Sequence, residues 1–254
     1  MNSTAPSIKD LEKLAKGKPF LKIEGLNAGY GKMEILHNVD LRIAQGQSLC
    51  LIGPNGAGKS TILHSIYGFT NIYGGHIYLD GQDITKTPPN GKLKDGGIAY
   101  ILQDNSVFPD MTVEENLWMG GYLMKKEEAH AAAEKVLLDT PQLARRRGQP
   151  ARVLSGGERR LLEIARALIM DPAVLLVDEP SIGLEPRYIE MVFEILEKLK
   201  VEQNKTIIMV EQNAKKGLEF ADVGYVLVSG QLAMADTGKK LLKDPEVGRL
   251  FLGG

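Results

Sequence analysis

The run Gly53-Pro54-Asn55-Gly56-Ala57-Gly58-Lys59-Ser60-Thr61 has the spacing G-x-x-x-x-G-K-[ST] of a loop that cradles phosphate. Its residue types say how. Glycines let successive backbone N–H groups turn inward onto anionic oxygens, and a helix that begins at the loop adds the positive end of its dipole. Lys59 can reach the β- and γ-phosphates of a nucleotide, and the Ser60 hydroxyl can ligate Mg2+. The flanks fit as well. Residues 48–52 read as a short buried strand, and residues 61–67 as a helix with Ile62, Leu63 and Ile66 apolar.

Two further runs carry chemistry. In Val174-Leu175-Leu176-Val177-Asp178-Glu179-Pro180 an apolar strand ends in adjacent carboxylates. At a strand's C-terminal edge these can face the crevice that holds the phosphate loop. Asp178 would then hold Mg2+, directly or through water, and Glu179 would polarise the water that attacks the γ-phosphate. Read alone, the acid pair fits a solvated turn better; the phosphate loop upstream reverses that preference. In Leu154-Ser155-Gly156-Gly157-Glu158 a Ser-Gly-Gly starts a helix with Leu161, Ile164, Ala165 and Leu168 on one stripe. That helix N-terminus is a second candidate phosphate site, or simply a serine cap with two turn glycines.

The elements that must position these residues alternate along the chain. Strand-like runs at 21–26, 35–43 and 76–79 come first, with Val39, Leu41 and Ile43 alternating as in a half-buried antiparallel strand, and 87–91 reads as a loop. Apolar runs at 97–102, 173–177, 206–210, 223–228 and 231–234 alternate with helical segments at 157–170, 186–200 and 214–220. That alternation predicts an α/β fold with a parallel sheet covered on both faces. The interval 112–165 is helical throughout and reads as an inserted subdomain. Residues 1–18 form an extension whose short amphipathic stretch around Leu11 and Leu14 is either a docked helix or disordered.

Composition bounds the function. With 254 residues, 43% hydrophobic content and a net charge of −1, the chain can build a substantial core and has no field that favours nucleic acid. The basic run at 145–147 reads as a solvated helix end. The single cysteine, Cys50, falls in the strand before the phosphate loop and reads as core in a reducing compartment. No run is long enough to cross a bilayer and no secretory signal opens the chain, so the expectation is a protein that is soluble or peripheral to a membrane through a partner.

Taken together, the motifs over about residues 20–238 resemble the nucleotide-binding subunit of ATP-binding cassette (ABC) transporters, in the family's order. The resemblance implies a P-loop NTPase (RecA-like) core with an N-terminal antiparallel β subdomain and an inserted α-helical signature subdomain at about 104–165, within an ATPase domain spanning 19–254. Gly53 to Thr61 match the Walker A loop. Gln103 matches the Q-loop glutamine, which in the family senses Mg2+ and the membrane partner. Ser155, Gly156, Gly157 and Glu158 match the signature motif, and Asp178 and Glu179 match Walker B and the catalytic glutamate. Tyr30 stands where the family stacks an aromatic on adenine. The implied cofactors are ATP and Mg2+. In the family each ATP lies between the Walker A loop of one subunit and the signature serine of another, so that ATP closes the dimer and hydrolysis releases it.

Three positions depart from the family. Gln212, in Val210-Glu211-Gln212-Asn213, stands where a switch histidine is usual; it can hydrogen-bond the γ-phosphate but cannot carry a proton. Glu185 replaces the usual aspartate after Walker B. Glu158 replaces the signature glutamine, and its carboxylate near ATP requires a basic group or its own helix start as a partner. The Glu-Gln-Asn run, the Ser-Gly-Gly-Glu run and the terminus 250–254 resemble the ATPases of branched-chain amino-acid importers. The implied partners are a second ATPase subunit of the same fold, in a heterodimer with unequal sites or in a homodimer, polytopic membrane permease subunits and, through them, a solute-binding protein. The implied location is peripheral, on the cytoplasmic face of the inner (cytoplasmic) membrane. Urea or short-amide import, a soluble role such as iron–sulfur assembly and a non-hydrolysing regulator are the alternatives. Phe108, Pro109, Met111, Trp118, Met119, Tyr122 and Met124 are candidates for a permease-docking surface, with Trp118 and Tyr122 equally suited to pairing in the insert's own core.

Overall fold

In the computed structural model, which describes residues 5–103 and 106–251, each apolar run becomes an element with a defined partner. The chain opens with α1 (Ile8–Leu14), β1 (Leu21–Tyr30), β2 (Met33–Ile43), β3 (Ser48–Ile52) and α2 (Lys59–Tyr67). It continues through β4 (Asn71–Leu79), β5 (Gln82–Asp83), α3 (Pro89–Lys94) and β6 (Ile98–Ile101). Four helices follow: α4 (Val113–Gly120), α5 (Lys126–Asp139), α6 (Pro141–Ala144) and α7 (Gly156–Ala167). Then come β7 (Val174–Asp178), α8 (Pro186–Gln203), β8 (Thr206–Val210), α9 (Ala214–Phe220), β9 (Val223–Val228), β10 (Gln231–Thr237), α10 (Gly238–Leu241) and α11 (Pro245–Phe251).

The strands form two sheets. One is antiparallel with order β2-β1-β4-β5; the other runs β10-β9-β3-β8-β7-β6, parallel except for β10 at its edge. Side chains alternate across the second sheet as the pleat requires. Leu49, Leu51, Val174, Leu176, Ile208 and Val210 face one cluster with α2 and the antiparallel sheet. Cys50, Ile52, Leu175, Val177, Ile207 and Met209 face the other, with α8 and α9. Burial on both faces explains why these strands read as continuous apolar runs. Helices α4 to α7 gather a third cluster of their own, including Val113, Leu117, Leu143, Leu161 and Ile169.

The structure differs from the sequence reading at several places. The expected loop at 87–91 turns into α3 at Pro89, because proline's fixed φ and missing N–H suit a helix's first turn. The strand expected at 76–79 begins at Asn71, since Gly75 lets β4 pass β1 closely; a Cβ there would lie 2.4 Å from the Gly25 carbonyl oxygen. The open question over the extension resolves to a docked helix. A Ser7–Asp10 capping box starts α1, Leu11 and Ala15 are buried, and Gln47 Nε2 donates to the Leu14 carbonyl at 3.0 Å.

Candidate functional site

The phosphate loop leaves β3 at Gly53, where φ is 149° and a Cβ would lie 2.2 Å from the Leu227 carbonyl oxygen, so only glycine fits against β9. Gly58 caps α2 at φ 96° with Leu36 Cδ2 2.8 Å from where its Cβ would be. The loop is drawn tight by Ala57 N–H donating to the Pro54 carbonyl at 3.1 Å. Pro54, Asn55 and Gly56 are exposed, and Thr61 is buried in the first turn of α2. Lys59 is buried, and its Nζ donates to the Gly53 and Pro54 carbonyls at 2.9 and 3.0 Å. Burial lowers its pKa, while Glu179 and Asp178 pull it back up. The result is a loop with a cation folded over it and a helix N-terminus at its end, which suits a polyphosphate.

Asp178 closes β7 beside Val210 of β8 and is buried. Ser60 Oγ donates to its Oδ1 at 3.1 Å, so the loop serine and the strand-end acid meet across 118 residues of chain. These are hard oxygen donors, and among the described residues no group of three or more His, Cys, Asp or Glu is placed to hold a metal ion. Such a sparse set suits Mg2+, which keeps several waters and shares phosphate oxygens. Glu179 adopts φ 44° and its N–H donates to the Val210 carbonyl at 2.9 Å, which turns the side chain out of the strand. Burial, then Asp178 and Glu211, raise its pKa against the opposing Lys59. Gln103 Nε2 donates to Glu179 Oε2 at 3.0 Å.

One cavity of about 420 Å3 gathers Lys59, Ser60, Gln103, Glu179 and Gln212, with Asn55, Gly56, Gly58 and Thr61 at its wall. These residues follow the C-terminal ends of β3, β6, β7 and β8, the edge where open α/β sheets bind ligands. The signature residues are elsewhere. Gly156 lines a separate cavity of about 280 Å3 that shares only Gln103 and Ile182 with the first. Ser155 and Glu158 form the capping box of α7, with Glu158 N–H on Ser155 Oγ at 3.2 Å and Ser155 N–H on Glu158 Oε2 at 2.8 Å. Arg146 Nε lies 3.3 Å from Glu158. Both partners that a carboxylate here requires are thus present, and the Ser155 backbone bond is the largest cause of its lowered pKa. At Gly157 a Cβ would fall 2.0 Å from the Tyr188 ring, so any larger residue requires that ring to move. Glu185 instead faces solvent beside Arg187 Nε at 3.2 Å. Tyr30 ends β1, exposed, with its hydroxyl against His64 Nδ1 and its ring edge-on to the imidazole.

Some of the site's supports went unread in the sequence. Glu211 is buried, accepting from Ser181 Oγ and the Asn213 N–H, both at 2.8 Å, and so ties the loop after Glu179 to the Gln212 loop. Arg160 and Glu163 pair at 2.8 Å inside the core. Arg160 also donates to the Leu102 and Asp178 carbonyls at 2.8 and 3.2 Å, and Glu163 accepts from Ser106 N–H at 2.7 Å. Their legible signal was two opposite charges three residues apart among the buried positions of α7. The docking candidates divide. Phe108, Met119 and Tyr122 are exposed and rim a groove of about 370 Å3 with Tyr67, Leu93 and Arg166. Trp118 and Tyr122 do not pair: Trp118 stacks on His130 at 4.1 Å, and Tyr122 is 60% exposed.

Comparison with known proteins meets this geometry. The family model described as "ABC transporter" matches residues 36–182. A probable branched-chain amino acid transport ATP-binding protein, LivF of Archaeoglobus fulgidus, is 40% identical over 92% of this chain and 98% of its own. The high-affinity branched-chain amino acid transport ATP-binding protein BraG of Pseudomonas aeruginosa is 41% identical over 92% of this chain and 100% of its own. A nucleotide-free ATP-binding cassette from an ABC transporter superposes with a TM-score of 0.82 at 30% identity, covering 93% of this chain and 100% of that one. With the phosphate loop, the strand-end acids and the capped glycine helix placed as described, the chain belongs to the ABC transporter family of ATP-binding proteins.

Proposed function

We propose that this chain is the ATP-binding and hydrolysing subunit of an importer that takes up branched-chain, hydrophobic amino acids. The carrying observation is the single cavity that collects Lys59, Ser60, Gln103, Glu179 and Gln212 at the ends of four parallel strands. Lys59 and the N-terminus of α2 neutralise the polyphosphate, and Tyr30 offers its ring to the adenine. Ser60, Asp178 and Gln103 would hold Mg2+, which when bound would draw charge from the phosphate oxygens. Glu179, partly desolvated and turned into the cavity, takes the proton of the attacking water; its raised pKa makes it a better base for that task. Gln212 holds the γ-phosphate by hydrogen bonding. Ser155 and the first N–H groups of α7 serve the nucleotide of a second ATPase subunit; in support, none of Ser155, Gly156, Gly157 and Glu158 lines the cavity of the chain's own loop. The Phe108 groove receives permease subunits at the cytoplasmic face of the membrane. Among the described residues no helix is long and apolar enough to cross a bilayer, so attachment runs through those partners.

The solute class rests on the two branched-chain transport relatives. Two measurements test the proposal. Purified chain titrated with Mg2+ and ATP should bind and, with its partner subunits, hydrolyse it. Removal of the gene should abolish uptake of labelled leucine while leaving urea uptake intact; the reverse pattern would assign the other solute.

A further inference from the structure

Asp178 is buried at the end of β7, next to Glu179 of the nucleotide cavity, with both carboxylate oxygens engaged by its own chain. Ser60 Oγ holds Oδ1 at 3.1 Å, and the Tyr100 hydroxyl donates to Oδ2 at 2.9 Å. Ser60 belongs to the phosphate loop. Tyr100 belongs to no motif; it stands on β6 opposite Leu176 of β7. Its ring is fixed on three sides, with centroids 5.6 Å from Tyr67, 6.1 Å from Phe69 and 5.7 Å from His64. His64 in turn meets the Tyr30 hydroxyl, so one aromatic cluster backs both the adenine-side tyrosine and the strand-end acid.

A carboxylate at a strand end can rotate about its last bond, and each rotation presents a different oxygen pair. A donor on one oxygen, fixed by a packed ring, selects one rotation. Groups behind a metal ligand that orient it in this way commonly carry about 10–100-fold of metal affinity. We propose that Tyr100 is a positioning residue for Asp178: its hydroxyl holds Oδ2 so that Oδ1 stays beside Ser60, the pair a divalent cation would use. The inference rests on the Mg2+–ATP reading of the cavity and names a residue outside the loop and strand motifs that tunes it.

Tyr100→Phe keeps the ring and removes the one donor. The cation dependence of ATP binding is measured by titrating Mg2+ against a fixed ATP concentration, with Mn2+ paramagnetic resonance as a direct count of bound cation. Tyr100→Phe should need about tenfold more cation for half-saturation, with cation-free ATP binding and the thermal midpoint close to wild type. Tyr100→Leu, lacking ring and hydroxyl, should lose stability but little further cation affinity. If wild type binds ATP with no cation dependence, the Mg2+–ATP reading itself falls. If wild type shows the dependence and Tyr100→Phe matches it within twofold, Tyr100 is core packing and the inference falls. It falls equally if the whole loss appears only in Tyr100→Leu.

Discussion

Glu179 sits at φ 44°, a conformation that L-residues seldom adopt, directly after a buried strand that ends in another acid. Such strain persists only where the surroundings over-determine it, and here the Val210 carbonyl and the Gln103 amide do so. Glu179→Gln preserves shape and removes the base; ATP turnover should fall by roughly 10²–10⁴-fold while nucleotide binding persists. Lys59→Ala removes the cation folded over the loop and should abolish ATP binding itself, read by fluorescent-nucleotide titration. A third test concerns Lys92, buried beside the C-terminal end of α2 with its Nζ on the Ser65 carbonyl at 3.4 Å. Burial pushes its pKa down to about 8. The unfolded chain, with an ordinary lysine pKa of about 10.4, binds more protons between these values, so this group's contribution to stability rises with pH across that window. Below it the burial penalty is fully present, on the order of 3 kcal/mol. Lys92→Met should therefore stabilise the protein at pH 7 and flatten the rise toward pH 10, measured by denaturant unfolding at both values.

At the scale of elements, α7 joins both halves of the machinery. Its capping box presents Ser155, while Arg160 and Glu163 bind the Leu102 and Asp178 carbonyls and the Ser106 amide around the Gln103 segment. Breaking one half of a buried pair leaves an uncompensated charge and costs about 3–5 kcal/mol. Arg160→Met should thus be strongly destabilising, and Arg160→Met with Glu163→Leu should cost less than Arg160→Met alone; unfolding midpoints of both variants check this. The elements were legible where one physical signal dominated. β3, β7 and β8 are buried on both faces, so apolar runs marked them, and the phosphate loop needed no tertiary information. β4 was only half legible because Gly74 and Gly75, which allow its close pairing with β1, look like a turn when read along the chain. α3 hid behind two prolines and a glycine. The docking of α1 depends on a surface built by β2, which local sequence cannot describe.

For the whole molecule, the phosphate loop and Gly156 of the signature helix line two neighbouring cavities that share only Gln103 and Ile182. Spacing along the chain names both motifs but says nothing of this arrangement, in which α7 packs Leu161, Leu162 and Ala165 into the helical cluster while α2 packs Ile62, Leu63 and Ile66 against the sheet. Under the proposed function a lone subunit would be catalytically incomplete. With Gln212 and Glu185 departing from the family pattern, the matching half is expected from a different ATPase subunit. Glu179→Gln protein with Mg2+ and ATP should stay monomeric alone and dimerise when that subunit is added, as light scattering would read; a stable homodimer would overturn the pairing. The fold also supplies its own reporter of integrity. Cys50 is the sole thiol, sealed in the central strand that launches the phosphate loop, and burial raises its pKa further from thiolate reactivity. An alkylating or disulfide reagent therefore meets no target until that strand opens. Labelling rate then measures the opening free energy of the very scaffold on which catalysis stands, without any engineered probe.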